Sequence, residues 1–590
     1  MVFRALFGVV IAKDRSSIRA NLIYYSGMQV GARWVLGLVL AAASAACGSS
    51  DDSGARTPTI DCPAGQTLDP TTNSCVTSCK DDERADGTGC TKVGWQSCPS
   101  GFVPDSSGYG CVDVSPPGDC PAGMMPTIGS TACKPVGTTS CATGFAADPS
   151  GWGCSAVAPA SSCSGATMET LGSASCVPVG DCAAAFPPAA ATLFVSPTAT
   201  ADATHFKTIA AALAVATDGV TIAVDTGAYA ESLTLGHAVH LVGKCAAQVT
   251  ITQATPTDPG ITVGTAVAPT VSGVSISSHL VGVLVSAGGS LTLANVVVDG
   301  NSGGGIAVVG NGTHVELNGS VVRGTKAQTT GTLTGGHGID VGNGAQMAIA
   351  KSAIVGNVEI GLYAKDPGSK VTMTSSVVSD TLMNVSSALG VGIDVGPSAQ
   401  CDVTASLVAR NHDAGLTTSA TAQLHVAQSV VSGTLPSAAG FGRGATVDGG
   451  NLTLEESTLF GNADLGISAE TKNGVVEVKN TVIRGTVANT DHVKGAGVAA
   501  STGGRVTLTG VALVGNSEEG VFADGAGAVV TMTDSIARDG VMLSSKTTGN
   551  GAVAQNGGHL VLTGSALVAN HESGLLLFDP GTAAEVTQSI

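Results

Sequence analysis

Few residues in this chain could carry acid–base chemistry, and their spacing narrows what they could do. Asp340 and Asp394 share a column of an internal repeat, two turns apart. At a strand spacing of ~4.8 Å their separation is ~9.6 Å, near the ~6.5–9.5 Å between the acid and base of an inverting glycosidase. Tyr363 stands between them, His337 precedes Asp340, and no third carboxylate supports the pair. The expectation for all three is therefore plain: outward, solvated Asp side chains beside a turn and a solvated loop His337. They are weak catalytic candidates. Asp366, Lys365 and Lys370 lie together, but the neighbouring turns add no carboxylates for a Ca²⁺ site. Glu455-Glu456 and Glu518-Glu519 read as solvated pairs. No GxSxG, HExxH, P-loop or dinucleotide fingerprint occurs in context, so neither cofactor nor metal is expected.

The elements that must position these residues form a repeat. A Gly followed by an apolar strand recurs at 282, 305, 338, 361, 392, 415, 444, 466, 497, 520, 551 and 574. The intervals alternate between about 23 and about 31, a double repeat of about 54 residues. About 22 residues suffice for three short strands and three turns, so each turn reads as one circuit of a stacked coil. Segments such as QMAIAKSAIVGN (346–357) and QCDVTASLVARN (400–411) are apolar at the second and fourth places and mostly polar at the third. That is period-two alternation. It places Cys401 in the core beside Met347 and Leu424. The seventh place is usually Ser or Thr. The twelfth is Asn at the short turns, at 301, 357, 411, 462, 516 and 570, and these read as turn formers. About fourteen turns give a rod of roughly 65–70 Å. The longer turns (326–337, 381–391, 434–443, 486–496 and 541–550) fall at one point of the repeat and should project as a row of loops, the most site-like surface.

Composition agrees with this organisation and fixes an address. The 590 residues include 81 Gly, 12% charged and 3% aromatic residues, with a net charge of −18. Nucleic acid is excluded as a partner, since phosphate neutralisation needs clustered Lys and Arg. Residues 34–46, WVLGLVLAAASAA, are too short to span a bilayer and fit the apolar region of an export signal. They lead into Cys47 and resemble a bacterial lipobox, with Ser44 where Leu is usual. The resemblance implies lipidation of Cys47. An export and lipoprotein signal is expected over 1–47, with Met28 as the suspected start, and a flexible tether over 48–61.

Thirteen of the 16 Cys lie in 62–182, a cysteine-rich repeat. Cys62 and Cys75, Cys98 and Cys111, Cys120 and Cys133, Cys141 and Cys154, and Cys163 and Cys176 are 13 apart; Cys79 and Cys90 are 11 apart. Modules this small cannot bury a core, so one disulfide per module is the economical expectation. Pairing is not proved by spacing. Without His or CxxC here, zinc is a poor alternative. Cys182 is left over, free or paired with Cys245. The modules read as a stalk or spacer.

From about 183 the text changes. The pattern in FKTIAAALAVATDGVTIAVDTGAYAESLTL (206–235), with Phe206, Ile209 and Leu213 at helical spacing, resembles the entry to right-handed parallel β-helices of the pectin-lyase-like superfamily. The resemblance implies an all-β right-handed parallel β-helix over 183–590, with an N-terminal helix capping the stack. Hydrolases of this fold resemble one another in a paired Asp-Asp and a Gly-His-Gly. Gly336-His337-Gly338 matches the second, but Asp-Asp occurs only at 51–52 and 81–82.

The function expected is a lipid-anchored, non-catalytic protein of the bacterial cell envelope, an outer membrane lipoprotein. It would serve surface display, with a polysaccharide or an envelope protein as partner and the membrane engaged through Cys47. The alternative is a polysaccharide lyase or glycoside hydrolase acting on extracellular polysaccharide. The last turn starts at Gly574 and stops at Ile590 in a strand. An uncapped stack exposes core and strand edge, so the expectation is a truncated sequence or an end closed by another chain.

Overall fold

A computed structural model describes residues 60–80, 83–85, 89–94, 97–107, 109–328, 335–386, 388–489, 495–542 and 548–590. The expected signal, Cys47, Met28, most of the tether and both Asp-Asp pairs lie outside them. The described chain divides into two compact units, 60–113 and 114–590.

The first unit holds three antiparallel hairpins. Gln66–Asp69 pairs with Ser74–Thr77, Glu83–Ala85 with Cys90–Lys92, and Phe102–Pro104 with Cys111–Asp113. Disulfides Cys62–Cys75, Cys79–Cys90 and Cys98–Cys111 close them. Strands of three or four residues bury too little apolar surface to hold alone, so each covalent loop substitutes for a core.

The second unit is a right-handed parallel β-helix, with three parallel sheets of 17, 14 and 14 strands. One coil runs Gln346–Ala350 in the first sheet, Ala353–Val355 in the second and Ile360–Ala364 in the third. Coils stack in register, so Met347, Val371, Cys401 and Leu424 form one inward column. Cys401 is buried, and burial pushes its thiol up to about 12. Side chains from all three sheets fill one continuous core, each fully buried Val, Leu or Ile contributing about 1.5–3 kcal/mol.

The capping helix spans only Ile209–Leu213, and Phe206 lies in the short strand before it, not on the helix. Thr208 caps it, and the carboxylate of Glu231 accepts from the first amides, Ile209 N (2.9 Å) and Ala210 N (2.7 Å). Ile209 and Ala212 are fully buried against the first coil.

Two columns differ from their expected roles. Most of the recurring glycines do not precede the strand but lie within it, facing inward. A Cβ on Gly392 would stand 2.6 Å from Gly415 O and 2.6 Å from Asn411 Nδ2. Backbone approach, not φ, therefore requires Gly there. The recurring Asn side chains are buried hydrogen-bonding groups rather than left-handed turn residues. Asn411 accepts from Thr381 N (3.0 Å) in the coil before and donates to Val378 O (3.3 Å). Asn357 and Asn462 repeat this with Thr325 and Thr434. The left-handed residue is the one just before, such as Arg410 at φ 54°. Alternate coils thus supply Asn and Thr to a single column that satisfies buried amides at the turn. The Ser column is similar: Ser376 N donates to Ser406 Oγ and Ser406 N to Ser429 Oγ.

The second sheet is buried on both faces. Its outward residues Val321, Val377, Leu407 and Val430 pack with Cys154, Met168 and Val179 of the modules. Farther along, Val482, Ala512 and Ile536 pack with Met125, Val136 and Trp152. The modules from 114 onward are therefore not a spacer: they lie along the β-helix as a strap. The physical reason is mutual. A sheet with two apolar faces needs a cover, and modules without cores need a surface. Cys120–Cys133, Cys141–Cys154 and Cys163–Cys176 close the strap modules, and Cys182–Cys245 ties the end of the strap to an early coil.

Candidate functional site

The third sheet carries the sequence-singled residues. Asp340, Tyr363, Asp394 and Thr417 are register partners on successive coils, so the two carboxylates stand two coils apart with Tyr363 between. His337 opens the strand His337–Gly342. Its Nδ1 lies 3.0 Å from Asp340 Oδ1 and its Nε2 3.8 Å from Glu359 Oε2. The ring meets Tyr363 edge-on at 5.6 Å, and Lys365 Nζ lies 4.8 Å from the centroid of that Tyr.

These groups are not solvated, contrary to the expectation. The side chains of His337, Asp340 and Glu359 are 17%, 23% and 20% exposed. Burial disfavours a charge on His337, but the Asp340 hydrogen bond and the charges of Asp340 and Glu359 outweigh it and raise its pKa. Burial raises the Asp394 carboxyl, against the Thr417 hydroxyl that donates to it at 2.5 Å and the charge of His337. Burial also raises the Tyr363 phenol, helped by Asp394, Asp340 and Asp366. Proton binding is thus favoured at the Asp394 carboxyl by burial and at the His337 ring by its carboxylate neighbours. Lys370 is not part of the group. It lies on the first sheet, 3.3 Å from Asp402.

Glu359 escaped sequence reasoning, although a signal existed. Three consecutive short turns read Asn-x-acid: Asn357 to Glu359, Asn411 to Asp413, Asn462 to Asp464. All three acids adopt left-handed φ, at 73°, 63° and 63°. Each meets a side chain from a long turn of a neighbouring coil. Glu359 faces His337, Asp413 accepts from Ser437 Oγ at 2.9 Å, and Asp464 accepts from Arg443 Nε at 2.9 Å. Short-turn carboxylates therefore pin the row of longer turns.

A second surface lies on the outward face of the first sheet. Gln400, Gln423 and Asn451 are register partners on three successive coils, as are Asp402, His425 and Thr453. With Glu477 they line an open depression of about 410 Å³. His425 lies 4.0 Å from Asp402 and 3.9 Å from Glu455, and Lys479 pairs with Glu455 at 3.1 Å beside it. Among the described residues, no three His, Cys, Asp or Glu side chains are grouped to hold a metal ion. No described helix is long and apolar enough to cross a membrane. The seven disulfides fit an extracellular or secreted protein.

Stacked parallel coils around one apolar core define the class: a right-handed parallel β-helix. Residues 259–431 match the family model described as right handed beta helix region. Among solved structures, the chain is similar to pectate lyase Pel9A at 14% identity and a TM-score of 0.33, covering 46% of this chain and 78% of that one. It is also similar to the catalytic unit of the GH87 alpha-1,3-glucanase from Streptomyces thermodiastaticus at 14% identity and 0.33, covering 69% and 70%. A third is the Dettilon tailspike protein, at 10% identity and 0.28, covering 61% and 62%. These likenesses concern the fold. No curated protein matches the sequence.

Proposed function

We propose that this is an exported protein of the bacterial cell envelope, held to the membrane by a lipid on Cys47. In this reading its β-helix is a non-catalytic surface for binding carbohydrate. The observation that carries the reading is the first-sheet ladder. Amide side chains of Gln400, Gln423 and Asn451 recur in register across an open polar depression, a pattern suited to the repeated hydroxyls of a glycan. Isothermal titration of the full chain with neutral and acidic oligosaccharides tests it. The expected result is saturable heat without products, weakened about tenfold (~1.4 kcal/mol) in Gln423→Ala/Asn451→Ala. Turnover abolished by Asp340→Ala or His337→Ala would overturn it. Fatty-acid labelling tests the anchor: label in the wild type and none in Cys47→Ala is expected.

One observation favours a second reading, glycoside hydrolysis on the third sheet. Asp394 is raised by burial while Asp340 pairs with His337, so the first could act as acid and the second as base toward a sugar spanning two coils. Reducing ends released from a polysaccharide, and lost in Asp394→Asn, would establish it.

A further inference from the structure

In a stacked coil each turn touches only its neighbours, so stability is a sum of local contacts and unfolding can begin anywhere along the stack. This chain carries an element that breaks that rule. The strap runs against the order of the coils, its earlier modules on later coils, and each module meets at least one arginine of the second sheet. Arg538 donates to Cys120 O at 3.4 Å and lies 5.8 Å from the Trp152 ring. Arg484 pairs with Asp148 over the Phe460 ring. Arg323 donates to three carbonyls of the last module, Cys163 O (3.2 Å), Thr167 O (2.9 Å) and Gly165 O, and pairs with Asp299.

The arginines are 8–18% exposed in their side chains, so these are largely desolvated contacts, and loss of Arg484 leaves the buried Asp148 unpaired. Backbone contacts add register. Gly137 N donates to Gly510 O at 2.8 Å, and Cys154 N to Thr458 Oγ1 at 2.9 Å. The Cys182–Cys245 disulfide then fixes the strap to the start of the stack.

We propose that residues 114–182 are a longitudinal brace, a conformational device that couples coils near Arg323 to coils near Arg538 and makes the stack unfold as one unit. The disulfides keep each module rigid enough to transmit this coupling, and the arginines are its points of attachment. The brace also explains why each strap module meets an arginine of the second sheet, and why that sheet has an apolar outer face beneath the modules.

Urea unfolding of the full chain, followed coil by coil by hydrogen exchange, tests the brace. In the wild type, amides around Ile339 and around Leu508 should lose protection at one urea concentration. In Arg323→Ala/Arg484→Ala/Arg538→Ala the two regions should separate into distinct transitions, and the slope of the overall transition should fall. Arg505→Ala, on the first sheet, should leave the single transition intact. A triple variant that keeps its β-sheet circular dichroism and still loses both regions together would overturn the proposal. Should that variant fail to fold, Cys182→Ser/Cys245→Ser answers the same question. Frayed early coils beside intact late coils would support the brace, and an unchanged single transition would overturn it.

Discussion

His337 and Asp340, three residues apart in one strand, meet Nδ1 to Oδ1 at 3.0 Å, while the other ring nitrogen turns to Glu359 at 3.8 Å. A half-buried imidazole between two carboxylates has its pKa raised above its ordinary 6.5. A raised pKa means that the folded state favours the proton. The stabilisation is therefore complete below about pH 6.5 and is lost as pH rises through the folded value. NMR titration of His337 should show a midpoint above 6.5, and Asp340→Asn should move it down. An unchanged midpoint in that variant would remove Asp340 as the cause.

His279 shows the opposite behaviour. It is fully buried, neither ring nitrogen has a hydrogen-bond partner of good geometry, and burial lowers its pKa although the backbone of Ile251 and Asp258 acts to raise it. The facing charge is Asp258, which acts against the shift. The fold therefore prefers neutral imidazole, and stability should fall as pH drops below about 6.5. His279 stands in the column where later coils alternate Asn and Thr, just after a left-handed residue: Ser278 at 62°, as Gly300 at 68° precedes Asn301. His279→Asn should remove the acid-dependent loss and recover part of the about 1–3 kcal/mol that an unpaired buried polar group costs. Thermal melts at pH 5 and 7.5 measure both effects.

Gly392→Ala should destabilise, although its backbone is open to L residues. The added Cβ meets a carbonyl and an amide at 2.6 Å, and both belong to the ladder of the next coil. Overpacking of this kind costs about 1–3 kcal/mol, read as a lower urea midpoint with unchanged slope.

Cys401 should resist alkylation in the native protein. Its thiol is buried in the core and pushed up to about 12, and the thiolate is the reactive form. Iodoacetamide at pH 8 should label it only after unfolding, as mass spectrometry would show. Rapid labelling of the native chain would mean that the coil opens there.

The sequence alone determined the stack, because coils in register repeat the same environment once per turn. Inward apolar places, the Ser column, the Asn at short turns and the Gly near the start of each third-sheet strand are all periodic and can be counted. The disulfide intervals of 13 were legible for the same reason. What those columns do was less legible. The twelfth-place Asn looks like a turn former, and only stacking shows that its amide serves the coil before it.

The tertiary structure decided which faces are covered and which side chains meet. Arg484 finds Asp148 across 336 residues and Arg538 finds Cys120 across 418. Neither pairing has a period, so no spacing announces it. The short strands of the second sheet, such as Val377–Ser379, are buried along their whole length, which a period-two reading takes for a solvated outer face. His337, Asp340 and Glu359 come from two coils joined by a turn, and their burial depends on how that turn folds back. Local alternation is a property of one strand, whereas burial of its outer face is a property of whatever lies against it.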